Sequence, residues 1–350
     1  MLRIVEIILA ALFAILFFIV LGLFFGKDAR ITRSVEVGNP ITQVYDSLNG
    51  FHNFNQWNPW HHVDPNMTKN ISGEAFGVGA RLDFQSAEKR IGNGSLQLIE
   101  STLEDGGVLR YSVDNDWFGT NKQIVLRLRQ DPKTRSVNVT AEFDVEYGWN
   151  VLGRYAGLYL DGRIGEDMEI ALARFATNMS MVPMVDYSQM VVEEVDLPGY
   201  NILYVGGGIP AAPRKWDEAQ DLMAKSWQQV EDFMKANNIT PIGPKLRVVN
   251  VLGEEFNDFS MAYPIESDAI AVKNNVRIGK SYAGKALKLQ FVGDRLAIGV
   301  PRGPREALKA YAMTHGRMYP WDGSGQYDEW VGDDPATGYP LTNVYLPLIK

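Results

Sequence analysis

Residues Ile7 to Phe25 form an unbroken run of nineteen uncharged, almost wholly apolar residues. At ~1.5 Å of rise per residue, a helix of that length covers about 28 Å, close to the ~30 Å of bilayer hydrocarbon. The run exceeds the apolar core of most signal peptides, and no clean small-x-small cleavage site precedes Arg30, although Ala29 follows small and polar residues. The expectation is an uncleaved, single-pass anchor over residues 1–27, with removal as a signal peptide as the alternative. The absence of cysteine excludes a lipoprotein. Arg3 precedes the run while Lys27, Arg30 and Arg33 follow it, so by Lys/Arg count the body leans to the cytoplasmic side.

The rest of the chain has an ordinary globular composition, 46% hydrophobic and 22% charged, and its length suggests two domains. A formal net charge of −8 and no Lys/Arg cluster argue against a phosphate-binding surface, so nucleic acid is not an expected partner.

Alternation over Ile31–Val37 predicts a strand, and Asn39-Pro40 then opens a short helix, with Asn as N-cap and Pro at the first helical position. Ile41, Val44, Tyr45 and Leu48 share one face of that helix. Antiparallel strands follow at 80–85, 94–102, 107–114, 122–130 and 136–146, with turns such as Asp105-Gly106-Gly107 and Asp131-Pro132 between them. Ile164, Met168, Ala171, Leu172, Phe175 and Met179 recur at helical spacing, predicting a long closing helix whose apolar stripe lies on the sheet. Together these make an α+β unit of helix-grip type, a curved sheet around its last helix. The stretch Phe54-Asn55-Gln56-Trp57-Asn58-Pro59-Trp60, then Asp64-Pro65 and Gly77-Val78-Gly79-Ala80, resembles the SRPBCC superfamily, the START-like or polyketide-cyclase-like group. The resemblance covers about residues 30–180 of an expected domain over 28–182, and it implies a hydrophobic ligand cavity rather than a particular reaction.

A second domain is expected over 189–350. Strands at 190–195 and 201–205 precede a helix whose Trp216, Ala219, Leu222, Met223, Trp227, Val230 and Met234 line one face. Strands follow at 245–251, 259–264, 276–282 and 284–292, then a helix over 304–315 and a last strand at 342–348. Strand, helix, strand, strand thus occurs twice, a weak internal duplication. Gly303-Pro304-Arg305-Glu306-Ala307-Leu308, Tyr327-Asp328-Glu329-Trp330 before Asp334-Pro335, and Leu341-Thr342-Asn343-Val344-Tyr345-Leu346 resemble the GyrI-like (AraC effector-binding) small-molecule-binding domain. That resemblance implies a groove for flat, often cationic, aromatic compounds, with a glutamate ahead of the final strand supplying charge and aromatic residues stacking on the ligand. The glutamate role falls on Glu329, with Asp328 as its neighbour, and Trp216, Tyr263, Trp330 and Tyr345 are the candidate stacking residues.

Catalytic chemistry is thin. There is no cysteine, and His52, His61, His62 and His315 are the only histidines. His61 and His62 with Asp64 lack the spacing of a metal-binding helix, Gly206-Gly207-Gly208 lacks that of a dinucleotide loop, and no nucleophile-elbow serine occurs, so neither metal nor cofactor is expected. Trp57, Trp60, Phe84, Trp117, Phe118 and Trp149 either line a cavity or fill core. The leading expectation is a membrane-anchored protein that sequesters or senses hydrophobic or flat amphiphilic and cationic small molecules. The alternative is a hydrolase or cyclase that uses Glu329 as base.

Overall fold

The computed structural model describes residues 2–104, 106–210, 216–253, 255–293 and 303–349, which fall into two compact units, Met1–Val182 and Pro183–Lys350. Asp105, from one of the expected turns, lies outside the described residues.

Unit 1 opens with helix α1 (Leu2–Leu23), whose residues Arg3–Leu23 are long and apolar enough to cross a membrane. Strand β1 (Asp28–Val37) and three short helices follow: α2 (Ile41–Leu48), α3 (Phe54–Trp57) and α4 (Trp60–Val63). Then come β2 (Thr68–Ser72), β3 (Arg81–Gln85), β4 (Asn93–Thr102), β5 (Gly107–Asn115), β6 (Thr120–Gln130) and β7 (Val137–Glu146). They form an antiparallel sheet in the order β1-β7-β6-β5-β4-β3-β2. Alternation drives the pairing: Val137, Val139, Ala141, Phe143 and Val145 of β7 are all buried while the residues between them are not. The register slips between Leu98 and Glu100 in β4 and between Thr120 and Gln123 in β6, and such bulges bend a sheet toward its concave side. Helix α5 (Val151–Gly157), a π-helical turn (Asp161–Gly165) and α6 (Glu166–Ser180) complete the unit. Leu172, Phe175 and Met179 of α6 are buried, and with the sheet this makes a helix-grip-like arrangement.

Local details depart from the sequence expectation. Asn39 does not cap α2; Pro40 takes that place, and buried Asn39 donates to the Gln43 side chain at 2.9 Å and the Val182 carbonyl at 3.3 Å. β2 and α5 were not foreseen. β2 is short and polar, and Gly153 and Gly157 interrupt any apolar stripe in α5. The helix of the apolar run stops at Leu23 rather than continuing to Phe25, because the chain there is captured by α5. Arg154, only 2% exposed, donates to the carbonyls of Leu23 at 2.8 Å and Phe25 at 3.3 Å, satisfying the end of α1, and also to Gly148. Tyr155 donates its hydroxyl to the Phe18 carbonyl at 2.8 Å and packs edge-on against Phe25. Gly22 permits the approach, since a Cβ there would lie 2.4 Å from Val151 Cγ1. The backbone N–H groups of Tyr147 and Gly148 close on the Lys27 carbonyl, so no loose tether separates α1 from β1.

Unit 2 contains β8 (Val192–Leu197), β9 (Asn201–Pro210), α7 (Trp216–Ala236), β10 (Leu246–Leu252), β11 (Phe256–Ile265), β12 (Arg277–Lys280), β13 (Gly284–Val292), α8 (Pro304–Thr314), β14 (Tyr327–Asp333) and β15 (Pro340–Pro347). Its antiparallel sheet runs β12-β9-β11-β10-β14-β15-β13-β8. The three strands β9-β11-β10 around α7 are mirrored by β14-β15-β13 around α8, and the halves join through β10 and β14. Tyr187, just before β8, is held to α8 by a 2.7 Å hydrogen bond with Thr314 and by ring contact with Tyr311. Tyr327–Asp333, read in the sequence as a stretch ahead of the final strand, is itself a strand, paired on both sides.

Replacing Arg154 by Ala leaves the carbonyls of Leu23, Phe25 and Gly148 without their charged donor. Arg154→Ala should lower unit 1 stability by about 3 kcal/mol, roughly 6–12 °C in melting temperature, with Arg154→Lys recovering part. Thermal melts of the detergent-solubilised chain by circular dichroism check this; an unchanged midpoint would show that α5 does not hold the end of α1.

Candidate functional site

Unit 1 encloses a cavity of about 130 Å³ between the sheet and α6. Its walls come from alternate residues of the curved strands, among them Leu96, Val113, Leu126 and Phe143, and from Met168 and Leu172 of α6. Ala141 and Ala171 leave the room, being small side chains where their neighbours are large. The Phe54–Trp60 motif closes one end. Trp57 lies 5.0 Å from Phe54 and Trp60 lies 6.1 Å from it, while Trp60 meets Phe84 at 5.0 Å and Trp117 at 6.4 Å. Asn178 on α6 fixes the motif by donating to the Gln56 carbonyl at 2.7 Å.

The sequence candidates in this unit separate clearly. Trp57, Trp60 and Trp117 line the cavity, and Phe84 is core behind Trp60. Phe118 and Trp149, expected either to line the cavity or to fill core, do neither: both are exposed. Tyr111 lines the cavity too, but its hydroxyl is committed to the Leu48 carbonyl, and burial pushes the phenol up. The indole N–H groups of Trp57 and Trp117 are buried and meet no acceptor among the described residues. Trp60 hydrogen-bonds Asp167, the one acidic side chain in the wall. Asp167 also pairs with Arg90, and Arg163, in the π-helical turn, donates to the Arg90 carbonyl at 2.9 Å and stands 5.3 Å over the Trp117 ring. The sequence pattern hid Asp167, Arg90 and Arg163, because nothing in their local spacing distinguishes them from solvated charges. Asp64, weighed as a metal ligand, instead clamps its own loop, accepting from the Ser86 hydroxyl and the Asn66 N–H; the Ser86 bond holds its pKa below the usual value.

In unit 2, Glu329 stands on β14 opposite Asn343 of β15, and Tyr327 stands opposite Tyr345. One Glu329 oxygen, Oε2, accepts from Asn343 Nδ2 at 3.0 Å and from the Tyr345 hydroxyl at 2.9 Å. The Tyr327 and Tyr345 rings lie 4.7 Å apart, and Tyr200, Tyr204 and Tyr282 pack against the core cluster that includes both. Desolvation, with the nearby Glu329 charge, raises the pKa values of both Tyr327 and Tyr345, keeping these phenols neutral donors.

Trp330 and Tyr263 do not join this group. Successive strand residues point to opposite faces, so Trp330 lies on the helix-covered face, in a T-shaped contact with Trp227 of α7 at 4.9 Å and with Lys245 5.8 Å over its ring. Tyr263 shares that face and donates to Glu231 of α7. Trp216 opens α7, and its side chain lies outside the described residues. Asp328, the alternative to Glu329, is fully buried between Arg247 and Arg305 on the helix side. Of the stacking residues named from sequence, then, Tyr345 alone is seen beside Glu329. Tyr327, which also lies near Glu329, was legible only as an alternate position in a segment whose faces were unassigned.

No family model matches the chain, and no curated protein matches it. Solved structures with some likeness include a protein from Nitrosospira multiformis, 19% identical, covering 46% of this chain and 99% of that one with a TM-score of 0.32. Another is truncated norcoclaurine synthase from Thalictrum flavum, 12% identical, covering 44% of this chain and 94% of that one with a TM-score of 0.34. A third is a protein from Thermobifida fusca, 19% identical, covering 42% of this chain and 93% of that one with a TM-score of 0.32. Likenesses this distant carry no statement about activity.

Desolvation raises Asp167 above its ordinary 3.8, against the lowering effect of Arg90. The folded state therefore holds the proton more tightly than the unfolded one. The resulting stability is fully present below the ordinary value and is lost as pH rises through the raised one. Asp167→Asn should flatten the melting-temperature profile over that acidic window. A variant with the parent's slope would place the titration elsewhere.

Proposed function

We propose that the chain is a membrane-anchored binding protein with two small-molecule sites, one lipophilic in residues 28–182 and one for flat amphiphilic or cationic compounds in residues 189–350, each a self-contained domain. The observation that carries the first is the 130 Å³ cavity walled by aliphatic and aromatic side chains. Apolar cavities of the order of 150 Å³ stay dry and take ring-sized apolar ligands. Trp57 and Trp117 supply N–H groups without acceptors among the described residues, which favours a ligand whose apolar body carries a hydrogen-bond acceptor.

Support for the second is the Glu329 carboxylate among tyrosine rings. It agrees with the GyrI-like resemblance of the sequence, as does the mirrored strand order about β10 and β14. A cation over tyrosine faces beside a carboxylate gains from both. Two donors, Asn343 and Tyr345, hold Glu329 Oε2 in place, which suits a fixed group that reads a ligand's charge. Helix α1 would anchor the body, and Lys27, Arg30 and Arg33 after it would place the body on the cytoplasmic side.

The two sites are separable by experiment. Ala171→Phe fills the unit 1 cavity and should abolish binding of a neutral apolar dye in isothermal titration, leaving a flat cationic dye unaffected. Retained affinity for the apolar dye would remove the cavity as its site.

Glu329→Gln should weaken the cationic dye about tenfold, the loss of one charged hydrogen-bond partner, with a neutral analogue of the same shape barely changed. Equal weakening of both dyes would mean that Glu329 shapes the surface rather than reads charge.

A further inference from the structure

The stretch between the unit 1 sheet and α6 leaves large apolar side chains in the open. Trp149 is 78% exposed and Tyr159 76%, and Leu152 and Leu158 between them are exposed as well. Their placement is not random. Asp28, where the chain of α1 enters the sheet, pairs with Glu146, and Glu146 pairs also with Thr120. Exposed Phe118 and Trp149 therefore lie just beyond the end of the sheet that α1 leaves.

Depth follows from how α5 is docked. The Tyr155 hydroxyl reaches the carbonyl of Phe18, five residues before the end of α1 at Leu23, hence about 7.5 Å back along the helix at ~1.5 Å per residue. The span Arg3–Leu23 is 21 residues and carries Arg3 and Glu6 at its start, so all of its uncharged part is needed to cover ~30 Å of hydrocarbon. If Leu23 lies at the hydrocarbon edge, the Tyr155 hydroxyl lies inside it. Gly22 and Arg154 hold α5 in that register.

We infer that unit 1 is seated in the membrane that α1 crosses: α5, with Trp149, Leu152, Leu158, Tyr159 and Phe118, lies in the boundary between headgroups and acyl chains. This rests on the membrane-anchored reading proposed above. Tryptophan and tyrosine favour that boundary because each joins an apolar ring to a polar group, and Lys27, 5.2 Å over the Trp149 ring, reaches outward to the headgroups. The bilayer is the occupant that the geometry selects, since the patch continues directly from the apolar surface of α1. One consequence concerns the cavity. Trp117, which lines it, adjoins Phe118, so the seating sets this end of the cavity close to the headgroups.

The chain has no cysteine, so single labels are clean. Nitroxides would be placed by Leu152→Cys and Leu158→Cys in the patch, Phe13→Cys in α1, and Val78→Cys, an exposed site near the opposite end of the sheet. The full chain is reconstituted in vesicles of phosphatidylcholine and phosphatidylglycerol, and collisions with oxygen and with an aqueous nickel chelate are compared. Labels at 152 and 158 should favour oxygen, as the label at 13 does, with the ratio reversed at 78. If 152 and 158 match 78 while 13 favours oxygen, the anchor stands and the seating is overturned. If 13 also matches 78, the anchor reading fails and the seating with it. Exclusion of both reagents at 152 and 158 with spin–spin broadening would give the patch to a second copy of the chain, which also overturns it.

Discussion

An antiparallel strand sends successive side chains to opposite faces of its sheet, and a helix laid on one face claims every side chain there for packing. In unit 1 the helix α6 and the sheet's concave face claim each other only partly. Leu172, Phe175 and Met179 pack close, while Ala141 and Ala171 leave a space that large neighbours surround but do not fill. In unit 2 the helices take the face that carries Arg247, Asp328 and Trp330, and the alternate residues Tyr327 and Glu329 stay on the other. A one-residue difference along β14 thus separates a structural residue from a candidate binding residue.

Asp328 makes that division firm. Its carboxylate is fully buried and receives guanidinium groups from Arg247 on β10 and Arg305 on α8, so one side chain ties the two mirrored halves together. Removing one partner from such a buried pair costs several kcal/mol because an uncompensated charge stays behind. With the halves locked on the helix side, β14 cannot slip by one residue. A slip would bring Glu329 under the helices and Asp328 out among the tyrosines.

The elements with strong periodicity were legible in the sequence: the apolar run, the strands from β3 to β7, the α6 and α7 stripes and β13 all fall where alternation or helical spacing put them. What was not legible depended on partners distant in sequence. β14 was hidden because Tyr327–Asp333 is acidic and gains its strand character from β10 and β15 on either side. The tryptophans of the Phe54–Trp60 motif could be named as candidates, yet nothing local told Trp117, which lines the cavity, from Phe118 beside it, which does not. Asp167 illustrates the same limit, since its distinction comes from Trp60 and Arg90, far away along the chain.

Helix α1 is the element whose attachment composition shows least. A composition break at Gly26-Lys27-Asp28 suggests a helix joined to an independent body. In the structure the carbonyls of Leu23, Phe25 and Lys27 are all bound by groups from residues 147–154. Free carbonyls at a helix end are costly wherever water is scarce, and Arg154 meets that need with a fixed geometry rather than with solvent. Helix α1 and the sheet are therefore held as one piece, and the position of the sheet relative to α1 follows from packing at Gly22 instead of from the length of a linker.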